Sequence, residues 1–196
     1  MTSRVLFVSP ASSPSLRQAR FDDGDAIDDV GAARARAAAG SLPPAARVLT
    51  SPGVRCRQTA EALGLDGART PELGAWDVGR WRGLTLDEVG ATEPEAVARW
   101  LADPDSAPHG GESVHELCVR VGHWLDGARD FDGRTVAVVE PEVVRAAVVH
   151  ALGLGAAAFW RLDVPPLTVT ELSGRSGRWN LRLGRHLAAS DTPSPR

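Results

Sequence analysis

Lysine is missing from this sequence: all 22 basic residues among its 196 are arginine. An absence that extends over the whole chain reads as compositional bias of the coding sequence more than as selection for guanidinium chemistry, and it excludes Schiff-base lysine catalysis. Cysteine is scarce too. Cys56 and Cys118 cannot build a disulfide framework, and neither belongs to a metal-ligand spacing. No metal site and no cofactor is therefore expected, and no glycine-rich phosphate loop is present. No apolar run approaches the roughly 18 residues of a membrane helix, and the N-terminus lacks the basic-then-apolar layout of a secretory leader. A soluble protein of the reducing cytoplasm is the expectation, with no membrane partner. The net charge of −3 gives no global attraction to nucleic acid, and no nucleic-acid motif occurs.

What is present is ordinary globular composition, 43% hydrophobic and 24% charged. The length suits one α/β domain over residues 1–187, with a Pro/Ser-rich tail from 188 to 196 expected to be disordered. Val5 to Val8 reads as a buried strand that stops at a Ser/Pro loop. Asp28 is placed to cap a helix running to about Ala39, stopped by Gly40. Val48 to Thr50 reads as a second strand feeding a helix that ends at Gly64, and 71–83 as a long irregular stretch rich in Gly and Trp. Helical patterns return over 86–89 and 95–101, and the apolar spacing of 113–128 predicts an amphipathic helix. Thr135 to Val139 predicts a strand, Val143 to Leu152 a helix, and two strands near 167–172 and 179–183 a hairpin across a Ser/Gly/Arg turn. Strands alternating with helices imply a three-layer α/β/α sandwich around a mainly parallel sheet. Ligands in such sheets bind beyond the carboxyl ends of the strands, which points to the loops after Val8, Thr50 and Val139.

Those loops carry a resemblance. Ser51-Pro52-Gly53-Val54-Arg55-Cys56-Arg57-Gln58-Thr59-Ala60 closely resembles the Ser-Pro-x-x-Arg-Ala-x-Gln-Thr-Ala segment of the histidine phosphatase (phosphoglycerate-mutase-like) superfamily. Gly79-Arg80-Trp81-Arg82-Gly83 looks like that family's Gly-x-Trp-x-Gly loop, and Gly110-Gly111-Glu112-Ser113 is similar to its entry to a helix. Arg20-Phe21 matches the Arg-Phe after its first loop, and Val139 to Arg145 resembles its last active-site turn. The resemblance implies a phosphoglycerate-mutase-like fold.

It also implies a specific constellation: a nucleophilic histidine in an Arg-His-Gly turn, a second histidine, phosphate-holding arginines and a carboxylic acid. This sequence departs from it at each catalytic position. Ser9-Pro10-Ala11 stands in place of Arg-His-Gly, Glu140 in place of the second histidine, and Ala75 in place of the acid. Arg55, with Arg20 nearby, is what remains of the phosphate-holding set. A dianion beside Glu140 would meet repulsion on the order of a few kcal/mol at an effective dielectric of about 20. The pocket charge is thus expected to have moved towards negative, favouring a neutral, zwitterionic or cationic small molecule over a phosphate ester.

The remaining polar groups define a candidate site. Glu140, His109 and Ser9 are the candidate catalytic groups, and Arg20, Arg55, Ser12, Trp76 and Ala75 the candidate pocket lining. Each has a plain alternative. Glu140 can simply pair with Arg55, Ser9 and Ser12 can be turn formers, and Trp81 and Trp76 can be packing residues rather than a platform for a cation. Three functions stay open: a repurposed acid/base enzyme on a small metabolite, a pseudoenzyme that binds a ligand or protein, and a residual phosphomonoesterase. A homodimer is left open.

Overall fold

The computed structural model describes residues 3–175 and 178–188. Its strands are β1 (Ser3–Val8), β2 (Arg47–Thr50), β3 (Ala68–Arg69), β4 (Arg134–Val138), β5 (Thr168–Arg175) and β6 (Arg178–His186). They form one sheet in the order β3-β2-β4-β1-β5-β6. The first four in that order run parallel, while β5 lies antiparallel to β1 and β6 antiparallel to β5. The register is even along the centre, with Val5 opposite Thr135 and Val48 opposite Val136.

Both faces of this sheet are covered, which is why its central strands are apolar at successive positions rather than alternately. Val5 and Phe7 of β1 enter one core cluster, and Leu6 and Val8 enter the other. The first cluster packs under α6 (Val114–Gly127) and α7 (Pro141–Ala151) and takes in most of the tryptophans. The second packs against α2 (Asp29–Ala37) and α3 (Val54–Ala62). The three-layer arrangement expected from the strand–helix alternation is what is found.

Local chemistry explains most of the helix ends. The Asp28 side chain accepts from Gly31 N at 2.7 Å to start α2, and Gly40 follows it with φ +76. Ser113 and Glu116 form a reciprocal capping box on α6. The last long helix begins two residues earlier than its apolar pattern suggests. Pro141 takes its first position, where a missing N–H costs nothing, and Gly153 closes the far end with φ +62.

Several short elements were not anticipated: α1 (Pro14–Arg17), β3, and 3₁₀ turns at Pro71–Leu73, Gly79–Trp81, Ala128–Asp130 and Ala156–Arg161. Two further helices, α4 (Leu86–Thr92) and α5 (Pro94–Ala102), lie where helical patterns were read. The turn of the final hairpin and the tail beyond 188 lie outside the described residues. Among the described residues no helix is long and apolar enough to cross a membrane.

Candidate functional site

In the strand order β2-β4-β1, the carboxyl ends of three parallel strands meet, and each hands one residue to a common point. Glu140 follows β4 as the N-cap residue of α7, but its side chain caps nothing. Its carboxylate turns instead to Arg55 on α3, with Oε2 2.7 Å from Nη2. The Arg55 Nη1 donates to Ser13 Oγ in the loop after β1 at 3.3 Å, and Nε lies 3.7 Å from Asp22 Oδ1. The other Glu140 oxygen accepts from the Cys56 thiol at 3.4 Å. Both members of the pair are buried, Glu140 at 1% exposure and Arg55 at 8%.

Burial governs the protonation of this group. It pushes the Glu140 carboxyl up to about 7, with the Arg55 cation opposing and the neighbouring Glu142 and Asp22 charges adding to the rise. The Cys56 thiol is raised well above its usual range, first by burial and then by Glu140, so it stays a thiol. Burial also raises Asp22, against the pull of Arg55.

Above the pair opens a cleft of about 220 Å³ lined by aromatic and charged side chains. Phe21, Trp76, Trp100 and Trp160 supply the aromatic surface. Trp76 stacks on Trp100 with centroids 5.4 Å apart and planes 19° from parallel, and Trp160 meets Trp100 edge-on at 4.5 Å. Trp76 is therefore both cleft wall and packing residue, while Trp81 is core alone, fully buried. Three arginines (Arg20, Arg55, Arg145) line the cleft together with three carboxylates (Asp22, Glu140, Glu142). Formal charge is balanced there. Arg145 contributes to this balance, at the end of the Val139 to Arg145 segment. It stands four residues after Pro141 on α7, one helical turn on the same face.

Of the residues singled out in the sequence, Glu140, Arg55, Arg20, Trp76 and Ala75 line the cleft. Arg20 is partly committed, donating to Gly83 O and lying 3.7 Å from Glu88. Ser9, Ser12 and His109 are not among the lining residues, and each placement has a local cause. The Ser9 hydroxyl donates to Pro165 O at 2.6 Å and accepts from Thr168 N at 3.0 Å, pinning the first loop to β5. Ser12 donates to Asp28, the α2 cap, at 3.1 Å. His109 sits in the aromatic cluster, its ring 5.1 Å from Trp81, with Nδ1 accepting from Gly111 N at 3.0 Å. Burial lowers its pKa, so it is a neutral packing residue.

The wall is held from behind. Arg120 pairs with Glu112 through two bonds of 2.7 and 2.8 Å and donates to the carbonyls of Glu72 and Gly74, while Trp76 Nε1 donates to Glu112 O at 2.6 Å. Asp22, Asp23 and Asp25 gather beside the cleft with carboxylate oxygens within 4.8 Å of one another, a convergence that the sequence reading did not anticipate.

Residues 18–185 match the histidine phosphatase superfamily (branch 1). The chain belongs to that superfamily. It is 31% identical over 182 residues to the bifunctional protein Rv2228c of Mycobacterium tuberculosis, covering 86% of this chain and 50% of that protein. It is 34% identical over 146 residues to a glucosyl-3-phosphoglycerate phosphatase of Mycolicibacterium vanbaalenii, covering 65% and 64%. The chain thus spans about half the length of the first of these relatives. Among solved structures, a mycobacterial glucosyl-3-phosphoglycerate phosphatase complexed with VO3 superposes with a TM-score of 0.79 at 25% identity, over 95% of this chain and 99% of that one. A phosphoserine phosphatase from Entamoeba histolytica in complex with 3-phosphoglyceric acid reaches 0.82 at 14% identity, over 92% and 95%, a likeness of fold. The superfamily's phosphoglycerate-mutase-like fold, with its mostly parallel central sheet, is this chain's fold.

Proposed function

We propose that this member of the superfamily performs no phosphohistidine chemistry and that its cleft takes a small neutral, zwitterionic or cationic molecule in place of a phosphate ester. The observation that carries this reading is the 2.7 Å contact between Arg55 and Glu140. A phosphoryl group needs the arginine fork free. Here one arm is committed to a buried carboxylate, the other to Ser13, and Asp22 flanks Nε. Displacing Glu140 would leave a buried carboxylate unpaired, a cost of roughly 3–5 kcal/mol that a phosphate would have to overcome.

The first loop supports the same reading. Pro10 offers no nucleophile, Ser9 is spent on β5, and no histidine is among the residues that line the cleft. Titration with vanadate, which mimics the phosphoryl group, tests the proposal. The natural protein should show no saturable binding below millimolar concentration, and Glu140→Gln, which relaxes the grip on Arg55, should gain at least about tenfold. Vanadate binding to the natural protein as tight as to the variant would contradict it.

A second reading rests on one specific feature, the Glu140 carboxyl held at about 7 beside a cleft. A group balanced between acid and base near neutral pH suits proton transfer to or from a bound metabolite. In that case turnover of a ligand found by thermal stabilisation collapses in Glu140→Gln while its binding persists. A ligand bound without such turnover leaves the chain a binding module.

A further inference from the structure

Two side chains on the first turns of α7 enter the cleft and find nothing there to pair with. Glu142 and Arg145 both line it. Three apart on one helix, they are surface neighbours with Cβ atoms roughly 5–6 Å apart. Yet among the described residues neither makes a hydrogen bond or an ion pair, even with the other. Arg145 rests its guanidinium carbon 5.6 Å from the centre of the Phe159 ring, and its Nε is buried without an acceptor. Two more donors are in the same condition. Trp100 Nε1 and Trp160 Nε1, both of cleft-lining residues, are buried with no partner, and Trp100 as a whole is only 4% exposed. Buried donors left unmet cost on the order of 1–3 kcal/mol each, and a native fold keeps such groups satisfied. These nitrogens are enclosed by protein and not open to the cleft; what the cleft presents is Glu142 and the terminal nitrogens of Arg145, which are not among the enclosed atoms.

The charges narrow the class. Arg145 is the cleft arginine with no committed acceptor, since Arg55 is held by Glu140 and Arg20 by Gly83 and Glu88. A guanidinium matches a carboxylate through its planar fork. Glu142 beside it makes no ion pair among the described residues, although its charge acts on Arg55 and Glu140, and it is suited to an ammonium group. A molecule that carries a carboxylate and an ammonium close together could engage both. Facing them are Phe21, Trp76, Trp100 and Trp160, which favour a flat or large apolar body. A cleft of about 220 Å³ has room for a small molecule and not for a folded partner.

We infer that the ligand of this cleft is a free α-amino acid, or a close zwitterionic relative, with an aromatic or large apolar side chain. Arg145 takes its carboxylate and Glu142 its ammonium group. This rests on the reading that the cleft has given up phosphate esters, and it names the class that has replaced them.

Calorimetric titration of the full chain with L-tryptophan, tryptamine, indole-3-propionate and phosphoserine tests it. The expected result is saturable L-tryptophan binding. Tryptamine, which lacks the carboxylate, and indole-3-propionate, which lacks the ammonium, should each bind at least about tenfold more weakly. Arg145→Gln should weaken L-tryptophan at least about tenfold and leave tryptamine unchanged. Glu142→Gln should do the converse, weakening L-tryptophan and sparing indole-3-propionate. Because each variant keeps one analogue as an internal standard, a misfolded protein is distinguished from a lost contact. Absence of L-tryptophan binding, equal affinity for the three indoles, or indifference to Arg145→Gln would overturn this inference and leave the phosphate argument standing. Phosphoserine binding more tightly than L-tryptophan, and lost in Arg55→Gln, would overturn both.

Discussion

Glu140 lies at the centre of the proposed function, and its burial has a measurable signature. Its carboxyl ionises at about 7 in the folded chain against about 4.5 when exposed. Between those values the folded state holds a proton that the unfolded state has lost, so this group's contribution to stability is full below about pH 4.5 and falls as pH rises through 7. At roughly 1.4 kcal/mol per unit the loss is on the order of 3 kcal/mol. Glu140→Gln removes the titration. Its stability relative to the natural protein should therefore improve by up to that amount between pH 4.5 and 8 in urea melts. A constant difference across the range would show that the carboxylate is ionised throughout. Ser9 gives a second residue-scale prediction. Ser9→Ala should cost roughly 1–3 kcal/mol, because Thr168 N loses its buried acceptor, while ligand affinity stays unchanged. The identity of Glu140 and Arg55 as a pair was legible in the sequence because both stand in ordered motifs. Arg145, Trp100 and Trp160 were not, since each lies in a helical or turn pattern that reads equally well as packing. His109 differs for the opposite reason: a histidine before a functional turn looks available, and only the fold shows Trp76, Trp81 and Trp100 closing around it.

Helices and turns carry the site through backbone details that pattern reading catches unevenly. The cap at Asp28 was visible in the sequence and accepts the expected amide, whereas the reciprocal capping box of Ser113 and Glu116 appears only in the structure. β3 was invisible because two exposed residues have no periodicity; it exists only through its pairing with Leu49 and Thr50. The start of α7 was misread because the apolar pattern begins at Val143, whereas the helix begins with the proline. At this scale Gly79 is the sharpest test. It sits at φ +49, and an added Cβ would lie 2.2 Å from the His109 carbonyl, where a real side chain cannot fit. Gly79→Ala should cost roughly 2–4 kcal/mol and loosen the wall that presents Trp76. Gly90→Ala, on α4 with open space around it, should be neutral or stabilising by about 0.5–1 kcal/mol. Equal denaturation midpoints for the two variants would mean that the Gly79 turn is not under this constraint.

Across the whole molecule, the layered architecture was the most legible feature. Alternate residues of one strand feed cores on opposite faces, and that two-sided burial writes itself into the sequence as continuous apolar runs. The charge of the cleft was less legible, because it sums residues from the loop after β1, from α3 and from two turns of α7. Single motifs suggested a shift of charge towards negative; the assembled cleft holds three arginines and three carboxylates. That cleft stands inside an intact scaffold of the histidine phosphatase superfamily, so the proposed loss of phosphate chemistry can be tested apart from the cleft itself. The most direct measurement is the release of phosphate from p-nitrophenyl phosphate by the natural protein and by Arg55→Gln. Neither should exceed the uncatalysed background, and the two should be alike. Robust turnover by the natural protein, abolished in Arg55→Gln, would contradict it.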